Sequence, residues 1–146
     1  MKNKLQEKLF SKYPKIFRQK DLPMTQTCMC FGIDCGDGWY WLLDMLCGCI
    51  QSYIDNNSEV HQVEASQVKQ KFGGLRFYTE GGDENTCGTI ELAEHMSYHI
   101  CERCGSTECI PPQKTTKGWI STICNKCIKE KKVSLKNEKT PRKLSE

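Results

Sequence analysis

The sequence predicts an α+β fold, in which a small antiparallel β-hairpin or sheet packs with two or three helices and a treble-clef or ribbon-like zinc module follows. Three observations indicate it: an amphipathic helical segment, a segment that alternates with period two around a Gly-Gly pair, and two Cys-x-x-Cys pairs near the C-terminus. The 146 residues suffice for one domain with an appendage. We expect an α+β body over 1–100, a four-cysteine module over 101–136 and a basic flexible tail over 137–146.

The first helix is expected within residues 2–19 and is interrupted at Tyr13-Pro14, because a residue before proline is displaced from helical backbone angles. Its expected packing residues are Leu5, Leu9, Phe10, Ile16 and Phe17. The following segment, 21–38, contains Pro23, three glycines and three cysteines. Its composition is typical of an extended or looped connection.

The clearest helix signal follows Asp37, which can serve as an N-cap. The apolar residues expected on one buried face are Trp41, Leu42, Met45, Leu46, Cys49, Ile50 and Tyr53. Another helix, from 84 or 87 to His99, carries Ile90, Leu92, Ala93, Met96 and Ile100. The two helices supply most of the predicted core.

A β-hairpin is predicted between them, with strands at 68–72 and 75–80 and a two-residue turn at Gly73-Gly74. The side chains expected to face the core are Val68, Phe72, Leu75 and Phe77, and those expected to face outward are Lys69, Lys71, Arg76, Tyr78 and Glu80. This register places Lys71 opposite Arg76. Like charges in that position are destabilising unless an anion or a carboxylate lies between them.

The outward face of the hairpin is a candidate ligand site. Basic groups beside a flat aromatic ring suit a nucleotide or a nucleic-acid backbone and base, which points to Lys69, Lys71, Arg76 and Tyr78. The alternative is a solvated face on which Glu80 or another acid relieves the repulsion. Trp39 and Tyr40 are included as candidate ligand residues, although they can equally pack over the preceding loop.

The strongest chemical signal is a four-thiolate metal site. Cys101 and Cys104 form one Cys-x-x-Cys pair, Cys124 and Cys127 form another, and nineteen residues separate them. This spacing is typical of a structural Zn²⁺ site, in which four thiolates complete a tetrahedron and leave no position for water. Buried thiols or a redox pair are the alternatives. The expected charge-balancing residues around the four thiolates are Arg103, Lys126 and Lys129.

The remaining seven of the eleven cysteines are assigned less firmly. Five of them lie around the predicted long helix: Cys28, Cys30, Cys35, Cys47 and Cys49. They can fill the core as small apolar groups, or some of them can converge on a second metal, and both readings stay open. Cys87 and Cys109 have no evident partner.

Charge and hydropathy limit the location and the partners. No stretch approaches the ~18 apolar residues of a membrane span, and the N-terminus lacks the apolar core of a signal peptide. We therefore expect a cytoplasmic protein without membrane contact, in a reducing compartment where cysteines bind metals. Residues 128–146 contain seven basic and three acidic residues, so the tail carries the excess charge and can be either a nucleic-acid contact or a solvated terminus.

Three strings of the sequence resemble a family of small, uncharacterised proteins of tailed phages and prophages. They are CMCFGIDCGDGWYWLLDMLC, VKQKFGGLRFYTEGGD, and CERCG followed by GWISTICNKC, within residues 5–127. Similar proteins have the same paired cysteines, which supports zinc at those four positions. The resemblance implies no established activity. It implies a setting in the bacterial cytoplasm, since small accessory phage proteins often manipulate the host, including by counteracting antiviral defences.

An enzyme is not expected, because the sequence has no Walker loop, nucleophile elbow or open metal triad. The first hypothesis is a counter-defence binding protein that sequesters a host nucleotide immune signal or blocks a host defence protein. The alternative is a nucleic-acid-binding zinc module that acts as a regulator. Self-association of the chain is left open.

Overall fold

The computed structural model describes residues 1–108, 113–114, 118 and 120–130. The α-helices are α1 (Asn3–Lys12), α2 (Tyr40–Asp55) and α3 (Glu84–Ser97), and the strands are β1 (Ile33–Asp34), β2 (Glu64–Lys71), β3 (Gly74–Glu80), β4 (Gln113–Lys114) and β5 (Ile120–Ser121). The order of the larger sheet is β1-β2-β3, and β4 pairs with β5 in a second sheet. The α+β class is confirmed. The larger sheet is mixed, because β1 pairs with β2 in parallel.

Helix α1 ends just before Tyr13-Pro14, as predicted, and a short 3-10 helix, Arg18–Asp21, follows. The side chains of Leu9 and Phe17 are fully buried. The hydroxyl of Tyr13 donates to the backbone oxygen of Asp44 at 2.8 Å and to its carboxylate at 3.0 Å. Polar contacts thus attach the end of α1 to one flank of α2.

The prediction of which face of α2 is buried is wrong: the buried face is rotated about the helix axis from the predicted one. The residues that α2 buries include Leu42, Leu43, Leu46, Cys47 and Ile50, whereas Trp41 and Met45 are exposed. The reason is that α1 and α3 flank this helix, and together with the sheet they select the buried arc. Asp37 does not cap α2, because a 3-10 helix, Asp37–Trp39, intervenes. Its carboxylate accepts instead from the backbone N–H of Lys2 at 2.8 Å.

The hairpin is present, but its turn lies one residue earlier than predicted. Phe72 and Gly73 form the turn with left-handed φ values of 52° and 84°. Lys69 therefore pairs with Arg76, and the prediction that Lys71 lies opposite Arg76 is wrong. Gly74 belongs to β3, where a Cβ atom would lie 2.4 Å from the ring of Tyr98. Because Phe72 is in the turn, its side chain is exposed rather than in the core.

Helix α3 covers the free edge of β3. The hydroxyl of Ser97 accepts from the N–H of Leu75 at 2.8 Å, and the carboxylate of Glu94 accepts from the N–H of Phe77 at 2.9 Å. These side chains satisfy strand donors that would otherwise be available for pairing with another chain. A capping box between Asp83 and Thr86 begins the helix.

Candidate functional site

Four cysteines lie together at the C-terminal side of the fold. The Sγ atoms of Cys101, Cys104, Cys124 and Cys127 all lie within 4.8 Å of one another, and those of Cys104 and Cys124 are 3.7 Å apart. Three of the four residues are buried, and Cys104 is exposed. The predicted convergence of the two Cys-x-x-Cys pairs is confirmed. The cluster has the ligand number and proximity to hold a metal ion.

The first pair is held in a tight turn. The backbone N–H of Gly105 donates to the carbonyl of Cys101 at 2.8 Å, and that of Cys101 donates to the carbonyl of Ser106 at 2.7 Å. Gly105 has a φ of 79°, a left-handed conformation that favours glycine. The turn therefore directs the Cys101 and Cys104 thiols to one point.

The second pair lies at the start of a helix that includes residues 125–130. The N–H of Cys124 donates to the Sγ atom of Cys101 at 3.3 Å, and the N–H of Ile128 donates to the carbonyl of Cys124 at 3.1 Å. Cys127 lies inside this helix. The end of the expected module, beyond residue 130, and the expected tail over 137–146 lie outside the described residues.

The surroundings of the cluster favour ionisation of the Cys101 thiol and oppose ionisation of the Cys104 and Cys127 thiols. Burial acts against ionisation of Cys101, but the backbone N–H groups of Cys124 and Cys104 outweigh it, and its pKa falls to about 7. Burial raises the pKa of Cys127, and the thiols of Cys104 and Cys124 raise it further. Ionisation of all four thiols therefore calls for a cation among them. The backbone N–H of Arg103 also helps to lower the pKa of Cys101, while its guanidinium donates to the carbonyl of Cys127 at 3.2 Å.

The turn of the first pair packs directly on a Gly-Asp-Gly segment before α2. The N–H of Gly38 donates to the carbonyl of Glu102 at 2.8 Å, and the N–H of Gly36 donates to the carboxylate of Glu102 at 3.0 Å. A Cβ atom at Gly38 would lie 2.1 Å from the carbonyl oxygen of Cys101, and one at Gly36 would lie 2.1 Å from that of Glu102. Only glycine allows the two backbones to approach this closely.

The module also contacts the tip of the hairpin. The hydroxyl of Thr122 donates to the carbonyl of Gly73 at 2.6 Å, and the side-chain amide of Gln70 donates to the carbonyl of Ile120. Both Thr122 and Gln70 are buried. The four-cysteine module therefore stabilises the turn of the hairpin as well as the start of α2.

The hairpin surface, defined here as Lys69, Lys71, Phe72 and Tyr78, combines the accessible part of the predicted ligand face with Phe72, which was expected in the core. The Lys69 ammonium lies 5.5 Å from the Tyr78 ring centroid, and that of Lys71 lies 5.5 Å from the Phe72 ring centroid. The exposed fractions of Phe72 and Tyr78 are 67% and 42%. The surface thus combines two cations with two aromatic rings.

Arg76 differs from the other predicted ligand residues because protein groups already hold it. Its guanidinium donates to the hydroxyl of Tyr98 at 3.0 Å, to the carbonyl of Leu75 at 2.6 Å and to the Glu94 carboxylate at 3.5 Å. The hydrogen bond with Tyr98 is the main reason that the Arg76 pKa is raised. The carboxylate that relieves the repulsion with Lys69 is thus Glu94 of α3 and not Glu80.

Trp39 is not a ligand residue, because its side chain is buried and cannot contact a ligand. Its ring is fully buried, and its indole N–H donates to the carbonyl of Ile100 at 2.9 Å. Tyr40 is half-buried and packs edge-on against the ring of Trp41, 5.5 Å between centroids. Neither residue belongs to the hairpin surface.

The other cysteines are not brought together. Among residues 1–108, 113–114, 118 and 120–130, the four-cysteine cluster is the only group of three or more His, Cys, Asp or Glu side chains that lie close enough together to hold a metal ion. Cys35 and Cys47 are buried, and burial raises the pKa of Cys35 to about 12. Cys28, Cys49 and Cys87 are exposed and Cys30 is half-buried, so these thiols do not all fill the core. Cys109 lies outside the described residues.

Sequence reasoning missed two parts of the site. Gly36 and Gly38 were predicted only as loop residues, although a Gly-x-Gly segment beside a tryptophan is a signal of close backbone packing. Phe72 was predicted to be in the core because the turn was placed one residue late. Its position before two glycines was the available signal of an exposed turn residue.

Comparisons with known proteins give no relative for this chain: no protein-family model, no curated protein and no solved structure matches it. Within the described residues, no helix has both the length and the apolar character needed to cross a membrane. The four-cysteine cluster and the hairpin surface are therefore the features of the chain that bear on its function.

Proposed function

We propose that the four-cysteine cluster binds one Zn²⁺ as a structural site. Bonds of about 2.3 Å from zinc to sulfur in a tetrahedron place neighbouring sulfur atoms about 3.8 Å apart, and the Cys104 and Cys124 sulfur atoms are 3.7 Å apart. Two cysteines in a tight turn, the antiparallel strands β4 and β5, and a helix with the other two cysteines at its start support a treble-clef arrangement. Four thiolates occupy every position around such an ion, which supports a binding protein and not a metalloenzyme.

We propose further that the protein acts by binding, through the hairpin surface. The observation that carries this proposal is the contact of the Lys69 ammonium with the Tyr78 ring and of the Lys71 ammonium with the Phe72 ring. The four-cysteine module supports the turn beside these pairs through the hydrogen bond from Thr122 to Gly73. Cations attract phosphate groups, and aromatic rings stack on bases. The ligand class is therefore a nucleotide-bearing molecule. Arg76 contributes by orienting β3 against α3, since its own donors are used within the protein.

The proposed biological role is counter-defence in a bacterial host. The resemblance of three sequence strings to small phage proteins suggests this setting, and a host nucleotide signal is a ligand of the class that the hairpin surface suits. Capture without turnover is sufficient for such a role. The reducing cytoplasm of the host would keep the cysteines available as metal ligands.

The binding proposal is tested with phosphate-bearing probes on the zinc-loaded protein. Thermal shifts are recorded with ADP-ribose and with a cyclic dinucleotide, and fluorescence anisotropy is recorded with a labelled single-stranded DNA. We expect a nucleotide to raise the melting temperature, because a ligand that binds the folded state stabilises it. Lys69→Ala should weaken binding by at least about tenfold, since one charge-assisted hydrogen bond contributes about 1.5–3 kcal/mol. Tyr78→Ala should weaken binding by at least about fivefold, since stacking of one base on an aromatic ring contributes about 1–3 kcal/mol.

Lys4→Ala is the matched control, because Lys4 is an exposed lysine of α1, outside the hairpin surface. It should leave nucleotide binding unchanged. Absence of a shift with every nucleotide, or equal losses for Lys4→Ala and Lys69→Ala, would contradict the proposal. Binding to DNA alone, with an affinity that falls as salt rises, would instead favour the nucleic-acid alternative.

A further inference from the structure

A second surface, on α2 and α3, exposes large apolar side chains that the core does not use. The exposed fractions are 70% for Trp41, 63% for Met45, 62% for Leu92 and 46% for Met96. On α2 the first two are four residues apart, and on α3 the other two are also four apart. Each pair therefore lies on one side of its helix.

Two contacts show that the helices carrying these pairs are neighbours. Tyr53 near the end of α2 bonds to Asn85 near the start of α3 at 2.7 Å, and the indole of Trp39 before α2 bonds to the carbonyl of Ile100 after α3. The two helices thus run antiparallel, side by side.

Residues three or four apart form a row along a helix surface, and each apolar pair belongs to a row that includes one partner of the Tyr53–Asn85 contact. The row of Tyr53 on α2 continues through Cys49 and Met45 to Trp41, and the row of Asn85 on α3 continues through Thr89 and Leu92 to Met96. The four exposed side chains thus lie on the solvent side of two adjacent helices, and we call them the α2–α3 patch.

We propose that the α2–α3 patch is the interface of a homodimer, in which it packs on the same patch of a second copy. The exposed area of the patch supports a dimer interface. The four side chains expose on the order of 500 Å², near the upper end of the range for the largest patch on a monomer. Pairing two copies would remove about 1,000 Å² from water before the rim is counted, which reaches the size of a specific interface.

The charges on α2 favour a second copy as the occupant. The helix has two charged residues: Asp44 is buried and paired with Lys12 at 2.8 Å, and Asp55 at the far end pairs with Lys15 at 3.3 Å. The solvent-facing residues near the patch on α2, Cys49 and Ser52, are uncharged. The α2 halves of two identical faces can therefore meet without like-charge repulsion, and the exposed carboxylates of α3, Glu84 and Glu91, lie about a quarter turn around the helix from Leu92, at the rim.

The proposal is tested by the mass of the zinc-loaded full chain in solution. Light scattering after gel filtration, at about 1 µM and about 100 µM, brackets the micromolar affinity expected of a small interface. We expect the mass to rise towards twice the 16.8 kDa of the chain. Trp41→Glu and Leu92→Glu should each remain monomeric at the higher concentration.

Phe31→Glu is the matched control, because Phe31 is 68% exposed but lies on neither α2 nor α3. It should dimerise as the unmodified chain does, and circular dichroism should show that all three variants are folded. An unmodified chain that remains monomeric at about 100 µM would overturn the proposal, and so would dimers that survive both patch substitutions. Equal loss of dimer in Phe31→Glu would overturn it as well.

Discussion

The packing of the Gly-Asp-Gly segment on the four-cysteine module predicts a large effect of a single methyl group. In Gly38→Ala, the new Cβ atom would lie 2.1 Å from the carbonyl oxygen of Cys101, 2.5 Å from the nitrogen of Gly105 and 2.7 Å from that of Cys104. All three are backbone atoms of a tight turn and cannot move separately. The φ of Gly38 is not in the left-handed region, so the effect comes from contact and not from backbone strain.

The magnitude follows from the contacts that separation would break. Overpacking costs about 1–3 kcal/mol. Moving the turn away also loses the two hydrogen bonds that Glu102 accepts from Gly36 and Gly38, at about 1 kcal/mol each. We therefore expect Gly38→Ala to lower the free energy of unfolding by about 3 kcal/mol or more.

Urea unfolding of the zinc-loaded protein, followed by tryptophan fluorescence, measures this change, because buried Trp39 is next to the substituted residue. Gly88→Ala is the matched control. Gly88 lies within α3, and a Cβ atom there would have no neighbour within 4 Å. That substitution should stabilise the protein by about 0.5–1 kcal/mol. A loss of less than about 0.5 kcal/mol in Gly38→Ala would refute the close packing described here.

Three further predictions concern α3 and the thiols. Glu94→Ala should destabilise the protein by about 1–2 kcal/mol in urea unfolding, because the buried N–H of Phe77 loses its acceptor, whereas exposed Glu91→Ala should have little effect. The backbone N–H of Thr86, which donates to Asp83, is the main cause that lowers the pKa of Asp83 below its usual 3.8. The ionised carboxylate therefore stabilises the fold fully above pH 3.8, and this stabilisation is lost as the pH falls through the pKa of Asp83 in the folded state. The melting temperatures of the unmodified chain and of Asp83→Asn should therefore differ at pH 7 and converge below about pH 4; a difference that persists would contradict the assignment. Chelation of zinc should add four thiols to those that react with a disulfide reagent, and an unchanged number would argue against thiolate ligation.

Features that depend on local sequence could be predicted. The interruption of α1 before Pro14 follows from proline sterics, and the four-cysteine cluster follows from the spacing within each Cys-x-x-Cys pair. The hairpin was also predictable, because period-two alternation and glycines mark strands and turns within a short window.

Features that depend on distant packing could not be predicted. The turn falls at Phe72-Gly73 because Gly74 is needed where the Tyr98 ring contacts β3, and nothing near Gly74 in the sequence indicates this contact. The buried face of α2 depends on which helices flank it, so Trp41 satisfied the helical pattern and yet lies in solvent. The ion pair between Arg76 and Glu94 could not be predicted either, since Glu94 lies eighteen residues away on α3.

The central claim is that one zinc ion, held by four thiolates, joins the C-terminal module to the hairpin and to α2. Native mass spectrometry of the full chain measures the number of bound ions directly. The account predicts one zinc per chain, lost when Cys104→Ser and Cys127→Ser are combined and retained in Cys87→Ser, an exposed cysteine outside the cluster. A chain purified under reducing, zinc-sufficient conditions that carries no zinc, or that keeps its zinc without Cys104 and Cys127, would contradict the claim.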